Sequence, residues 1–306
     1  MKVLVTGVCG QLGHDVVNEL VRRGHEAIAS DVNEEYTGIA DDSAVTRATY
    51  AQMDITDSDA VMAVLRAHEP DAVIHCAAWT AVDLAEELEN QPKVMAVNVQ
   101  GTRNIAEACR AAGCKMLYIS TDYVFNGQGT EPWRADCQDY APLNVYGQSK
   151  LEGEKAVQEA LENYFIVRIA WVFGLNGKNF IRTMLRLSEN HASLRVVNDQ
   201  IGTPTYTLDL ARLLVDMIET EKYGVYHATN EGGYISWADF AKEIFRQAGK
   251  ATEVAPVTTA EYGASKAARP FNSRLDKSKL VEQGFKPLPE WKDALKRYLE
   301  EIGLHG

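Results

Sequence analysis

Three glycines in the segment TGVCGQLG, at Gly7, Gly10 and Gly13, constrain the fold of this chain more than any other feature. They lie between an apolar, strand-like run, KVLVT, and a helix-like run, QLGHDVVNELVRRG. In the latter, Leu12, Val16, Val17, Leu20 and Val21 share one face. Glycine is needed where backbone turns tightly and comes close to a phosphate, and the amides opening the next helix favour an anion. The spacing alone is weak in a chain with 22 glycines, so position has to support it. A second strand, EAIASD, ends at Asp31, 24 residues after Gly7. A carboxylate there binds the hydroxyls of an adenosine ribose and repels a 2′-phosphate. No arginine follows in VNEEY, so the reading leans to NADH, with Arg47 as the basic residue farther along and dual use of NADPH still open.

The rhythm continues. RATYAQMD reads as a third strand, DSDAVMAVLRAHEP as a helix stopped by Pro70, and DAVIHCAA as a buried strand. The stretch VMAVNVQGTRNIAEACRAAG reads as one long helix leading to the strand KMLYIST. Strands without polar alternation, separated by helices, indicate parallel pairing covered on both faces. The fold class is therefore α/β, a doubly wound parallel sheet. Beyond it, YGQSKLEGEKAVQEALE is helical and YFIVRIAWVFG reads as a strand, after which the elements become shorter and less regular. This predicts a dinucleotide-binding domain over residues 1–171, with 205–230 returning to it, and a smaller α/β domain mainly from 172–306.

Charge and cysteine content exclude several classes. With 31 Lys and Arg against 43 Asp and Glu, the net charge is −12, which argues against binding nucleic acid or an anionic membrane surface. A local anion site needs only one helix terminus or a few basic groups, so anionic small molecules stay compatible. No run approaches a membrane span, and the start MKVLVTG lacks the form of a secretory signal. Five cysteines without CxxC spacing and seven scattered histidines suggest a reduced, cytoplasmic protein without a metal site.

Several polar residues fall at the expected carboxyl ends of strands, where ligands bind in such sheets. Asp54 follows the third strand, although it also suits a helix cap beside Thr56 and Asp57. Ala77 and Ala78 follow the fourth strand, and Ser120, Thr121 and Asp122 end the fifth. A Thr121 hydroxyl there can hydrogen-bond a carbonyl oxygen as charge develops, though the three residues also favour turns. Tyr146 and Lys150 stand at i and i+4, so they share a helix face. A lysine cation near a phenol lowers its pKa and readies it for proton exchange. The same pattern, YGxSK, recurs at Tyr262 and Lys266, but in the irregular tail, so position assigns the chemistry to Tyr146 and a surface role to Tyr262.

TGVCGQLG, STDYVFNG and YGQSK together resemble the extended short-chain dehydrogenase/reductases. The segments AAWTAVDLAE, NVYGQSKLEGE, RIAWVFG, NDQIGTPT and ARPFNSRLD resemble, more narrowly, the dTDP-4-dehydrorhamnose reductase family, from the first residue almost to the end. The resemblance implies a Rossmann-like cofactor domain and a substrate domain. It also implies NAD(P)H-dependent reduction of the 4-keto group of dTDP-4-dehydro-β-L-rhamnose to dTDP-L-rhamnose, on the way to surface polysaccharide. Carried over, Tyr146 protonates the sugar oxygen, Lys150 lowers the tyrosine pKa and holds the nicotinamide ribose, and Thr121 binds the keto oxygen. Gly10, Gln11 and Leu12, with Gly7 and Gly13, cradle the pyrophosphate. Asp31, Asp54 and Ile55 surround the adenosine, and Ala77, Ala78, Trp79 and Thr80 lie nearer the nicotinamide. Val82, Asp122, Tyr123 and Trp171 face the sugar, and Arg269 clamps the nucleotide diphosphate.

The chain departs from the family at Leu84, where lysine is common, so a basic contact is missing there. Some relatives dimerise through magnesium bridged by carboxylates near the glycine loop. Asp15 could contribute, but TYTLDL offers no convincing partners, so a homodimer is compatible and a metal is not expected. Dehydratases of the superfamily carry an Asp-Glu pair after the threonine, whereas Tyr123 follows Asp122 here. Reduction is favoured over that reaction, with an epimerase or a non-catalytic, cofactor-binding regulatory subunit as the alternatives.

Overall fold

A computed structural model describes residues 1–263 and 265–304. The chain begins with β1 (Lys2–Thr6), α1 (Gln11–Arg22), β2 (Glu26–Asp31), β3 (Thr49–Gln52), α2 (Ser58–His68) and β4 (Ala72–His75). Next come α3 (Val82–Ala85), α4 (Gln91–Met95), α5 (Thr102–Ala112), β5 (Lys115–Thr121), α6 (Val145–Ala160), β6 (Tyr164–Ile169) and β7 (Val172–Phe173). Then follow α7 (Phe180–Ser188), β8 (Ser193–Val197), β9 (Ile201–Gly202), β10 (Thr205–Tyr206), α8 (Thr207–Ile218) and β11 (Gly224–His227). The remainder runs β12 (Asn230–Glu231), β13 (Ile235–Ser236), α9 (Trp237–Gln247), β14 (Glu253–Val257), α10 (Thr259–Tyr262), α11 (Ser278–Glu282), β15 (Leu288–Glu290) and α12 (Trp291–Glu301).

Seven of these strands form one sheet in the order β11-β6-β5-β4-β1-β2-β3, with every neighbouring pair parallel. The apolar faces read from the sequence cover both sides. Leu12, Val16, Val17 and Leu20 of α1 join Leu210, Leu213 and Leu214 of α8 against one face. Val61 and Leu65 of α2, Ile105 and Cys109 of α5 and Val157 of α6 cover the other. Strand order reverses between β1 and β4, which opens a crevice at their carboxyl ends. A separate core joins α7, α9 and α12 through Ile181, Leu185, Phe240, Ile244 and Leu295. Residues 205–230 supply α8 and β11, which belong to the main sheet assembly.

Two regular elements expected from the sequence are interrupted. YFIVRIAWVFG is two strands, because Trp171 adopts a left-handed φ of 50° between β6 and β7. The long helix after Pro92 contains a π-helical stretch, Ala96–Gly101. Within it, the Asn98 side chain accepts from Trp79 N (2.8 Å) and donates to Trp79 O (3.1 Å) and Ser149 Oγ (2.8 Å). The wider turn thereby ties α6 to the loop after β4. None of the described helices is long and apolar enough to cross a membrane.

Candidate active site

Glycine is required at Gly7 and Gly13 for packing. Gly7 has φ of 72°, and a Cβ there would lie 2.7 Å from the Ala77 backbone; a Cβ at Gly13 would lie 2.4 Å from Gly7 O. Helix α1 therefore packs tightly against the loop before it, and its N-cap, Gly10, offers no side chain to the first turn. The opening amides of Gln11, Leu12 and Gly13 are left to an anion, as a dinucleotide pyrophosphate requires. Asp31 Oδ2 accepts from Cys9 N at 3.0 Å and Oδ1 from Val32 N at 2.9 Å. The carboxylate is thus fixed at the rim of the glycine loop.

A cleft of about 1200 Å³ runs from this loop across the carboxyl ends of β1, β4 and β5 to β6. Its wall includes Gly7, Gly10, Gln11, Leu12, Gly13, Asp31, Asp54, Ile55, Ala77, Ala78, Thr80 and Val82. Farther along it includes Thr121, Asp122, Tyr123, Tyr146, Lys150 and Trp171. Asp54 also closes its own turn, accepting from Thr56 N and Thr56 Oγ1, while Asp57 caps α2. The two readings of Asp54 are compatible, because the turn it closes lines the cleft.

Two expected ligand residues lie outside the wall. The Trp79 indole N–H donates to Ala81 O at 3.1 Å and its ring sits beneath the Lys93 ammonium, so this side chain is turned away between Ala78 and Thr80. Arg269 is held by Asp83 of α3, with Nη2 donating to Oδ2 at 2.8 Å and Nη1 to Oδ1 at 3.1 Å. The paired guanidinium lies beside Tyr123 of the wall. The sequence reading in turn missed Lys93, Lys178 and Trp237, which all line the cleft. Lys178 and Trp237 come from the smaller domain's segments, and nothing in their local sequence announces that placement.

Burial sets the charges at the catalytic end. Asn144 caps α6, its side chain accepting from Gly147 N at 2.7 Å, and this presents Tyr146 and Lys150 to the cleft from the first turns of the helix. Burial pushes the Lys150 ammonium down to about 7, opposed chiefly by the negative charge of Glu154. Its Nζ lies over the Tyr118 ring, 4.2 Å from the centroid. Burial pushes the Tyr146 phenol upward, the nearby Thr121 hydroxyl opposes this, and Asp122 adds to it. Tyr146 therefore holds its proton at neutral pH.

Asp122 is 2% exposed, and its Oδ1 accepts from Thr121 Oγ1 at 3.1 Å. Its Oδ2 is buried without a hydrogen bond among the described residues. Burial pushes this carboxyl up to about 7 against the pull of the neighbouring Ser273 and Thr121 hydroxyls. Such a group stabilises the fold fully below the ordinary carboxylate range near pH 4 and loses that contribution as pH rises through about 7. Asp122→Asn should therefore stabilise the protein at pH 8 by roughly 2–4 kcal/mol, with no gain below about pH 4. Denaturant unfolding of both forms across pH checks this, and a gain independent of pH would contradict it.

Asp15, the carboxylate that could meet magnesium, is 4% exposed and accepts the Thr207 hydroxyl. Burial pushes it up to about 7. No group of three or more His, Cys, Asp or Glu side chains among the described residues is arranged to hold a metal.

The family description "RmlD substrate binding domain" matches residues 1–304. The chain is 42% identical over 299 residues to dTDP-4-dehydrorhamnose reductase of Streptomyces griseus, covering 95% of this chain and 91% of the relative. A dTDP-4-dehydrorhamnose reductase from Bacillus anthracis, crystallised with NADP, superposes with a TM-score of 0.88 at 38% identity, covering 98% and 99% of the two chains. One from Clostridium acetobutylicum gives 0.89 at 39% identity, covering 99% and 100%.

Proposed function

Because the chain belongs to the dTDP-4-dehydrorhamnose reductase family, we propose that it reduces the 4-keto group of dTDP-4-dehydro-β-L-rhamnose with NADPH or NADH, yielding dTDP-L-rhamnose. The observation that carries this reading is the convergence of Thr121, Tyr146 and Lys150 in the same cleft as the glycine loop. The nicotinamide, when bound, supplies a hydride equivalent to the sugar C4. Tyr146, protonated at rest, gives its proton to the C4 oxygen as charge develops there. Thr121, turning its one hydroxyl hydrogen from Asp122 Oδ1, donates a hydrogen bond to the same oxygen, and the Lys150 cation stabilises the phenolate left behind. The Asp122–Tyr123 pair lacks the second carboxylate of a dehydratase. An intact donor set also disfavours a purely regulatory, cofactor-binding role.

The remaining wall residues divide by position. Gly7, Gly10, Gln11, Leu12 and Gly13 receive the pyrophosphate, Asp31, Asp54 and Ile55 the adenosine, and Ala77, Ala78 and Thr80 the nicotinamide end. Val82, Asp122, Tyr123 and Trp171 face the sugar. Residues 1–171 with 205–230 make the cofactor domain, and the later segments make the substrate domain.

Asp31 leans the cofactor preference toward NADH, because a carboxylate at the end of β2 binds the adenosine ribose hydroxyls and repels a 2′-phosphate. Initial rates with both cofactors, measured with and without dTDP-4-dehydrorhamnose, test the function and the preference together. The wild-type chain should oxidise either cofactor only when the sugar nucleotide is present, with the higher kcat/KM for NADH. Asp31→Asn should move the NADPH-to-NADH ratio of kcat/KM toward NADPH by about tenfold or more, the equivalent of roughly 1.4 kcal/mol of lost repulsion. No turnover with either cofactor would sink the reductase reading, and an unchanged ratio would sink the role of Asp31.

A further inference from the structure

Trp171 and Trp237 line the cleft together, although 65 residues separate them in sequence. Their rings stack with centroids 3.8 Å apart and planes 17° from parallel. Trp171 lies two residues beyond β6 of the main sheet, whereas Trp237 opens α9 in the smaller domain, behind the capping box of Ser236 and Asp239. The stack therefore joins the two halves at the sugar end of the cleft.

Three further observations single out this pair. Trp171 holds a left-handed φ of 50°, an outlier for so bulky a residue, of the kind that persists where surrounding structure enforces it. The enforcement is visible. Thr205 N donates to Trp171 O at 3.1 Å, and Thr205 Oγ1 donates to Ala170 O at 2.6 Å. Gly202 approaches the indole so closely that a Cβ there would lie 3.0 Å from Trp171 Cε2. Lastly, Trp79, Trp133 and Trp291 each donate their indole N–H to a backbone carbonyl. The indole N–H groups of Trp171 and Trp237 find no acceptor among the described residues. Both residues are half-buried, so these N–H groups are left to water or to a ligand in the cleft.

We propose that Trp237 is a positioning residue for substrate: it stacks on Trp171 across the domain junction and holds that indole against the hexose of the sugar nucleotide. The inference rests on the reductase reading and adds to it a second aromatic, contributed by the smaller domain. Phe180 and Phe240 brace Trp237 from behind, with ring centroids at 4.6 and 6.4 Å. The platform is thus built into the smaller domain's core and does not need substrate to form.

Two stacked indoles couple their transitions and give a paired positive and negative band in circular dichroism, which an isolated tryptophan does not. Trp237→Ala should abolish this couplet. It should raise KM for dTDP-4-dehydrorhamnose by about tenfold, with a much smaller fall in kcat and an unchanged KM for cofactor, the pattern of lost substrate positioning. Trp237→Phe, which keeps an aromatic face, should recover most of the KM. Cooperative thermal unfolding of each variant shows that it is folded. A folded Trp237→Ala with wild-type KM for the sugar nucleotide would overturn the proposal, as would an equal rise in both KM values. Wild-type protein that displays the couplet but never turns over dTDP-4-dehydrorhamnose would instead overturn the reductase reading and this inference with it.

Discussion

Tyr146→Phe should lower kcat for dTDP-4-dehydrorhamnose reduction by about 10²–10⁴-fold, the usual contribution of a positioned proton donor. That is roughly 3–5.5 kcal/mol of transition-state stabilisation. The substitution removes one oxygen from a phenol that holds its proton at neutral pH, beside the Thr121 hydroxyl. The ring itself remains, so its edge-to-face contact with Tyr123, at 5.7 Å between centroids, is kept. Cofactor binding, followed by fluorescence, should stay near the wild-type value, because the pyrophosphate cradle is untouched. Tyr262, in the second YGxSK copy, is 46% exposed and lies on α10, and Tyr262→Phe should leave kcat unchanged. A Tyr146→Phe enzyme within a few-fold of wild type would remove the tyrosine from the mechanism.

The largest effect on stability should come from Glu154. This carboxylate, 1% exposed, accepts from Arg168 Nε at 2.8 Å and Arg168 Nη2 at 2.7 Å, and Ser120 Oγ also donates to it. Arg168 is fully buried, its guanidinium lying over the Phe125 and Tyr140 rings. Glu154→Gln leaves that cation buried without a counter-charge, at a cost of about 3–5 kcal/mol. For a chain of this size Tm should fall by roughly 10 °C. Replacing both partners, as Glu154→Leu with Arg168→Met, should recover much of the loss, since the unpaired charge and not the missing contact is what destabilises. Denaturant midpoints of the two variants decide the matter. A Gln variant within about 1 kcal/mol of wild type would mean that water reaches Arg168.

The pair also bears on chemistry. Glu154 is one turn beyond Lys150 on α6, and its negative charge favours the Lys150 ammonium against burial. The same carboxylate that neutralises Arg168 therefore favours the charged form of Lys150.

What the sequence made legible was local. Gly7, Gly10 and Gly13, the STD turn and YGQSK are short segments whose spacing already fixes a strand end, a helix start and a shared helical face. The structure brings all of them to one cleft. What it hid were relations between distant segments. Trp237 meets Trp171 only because α9 packs at the domain junction, and no periodicity encodes that contact. Arg269 is paired with Asp83, 186 residues earlier, a contact that no local pattern announces. Trp79 stands between two cleft-lining residues, and the alternating direction of the loop turns its side chain away. The break after β6 was hidden for a related reason: AWVFG has strand-like composition, and the left-handed Trp171 is enforced from Thr205 and Gly202.

The reductase account is tested most directly by following the hydrogen itself. The chain is given dTDP-4-dehydrorhamnose and NADH carrying deuterium at nicotinamide C4, on each face in turn, and the product is read by NMR. The account predicts dTDP-L-rhamnose with deuterium at sugar C4 from one of the two labelled cofactors, and one cofactor oxidised per sugar reduced. Product without deuterium from either, or sugar converted with no net oxidation of cofactor, would contradict it and indicate an epimerase cycle in this cleft.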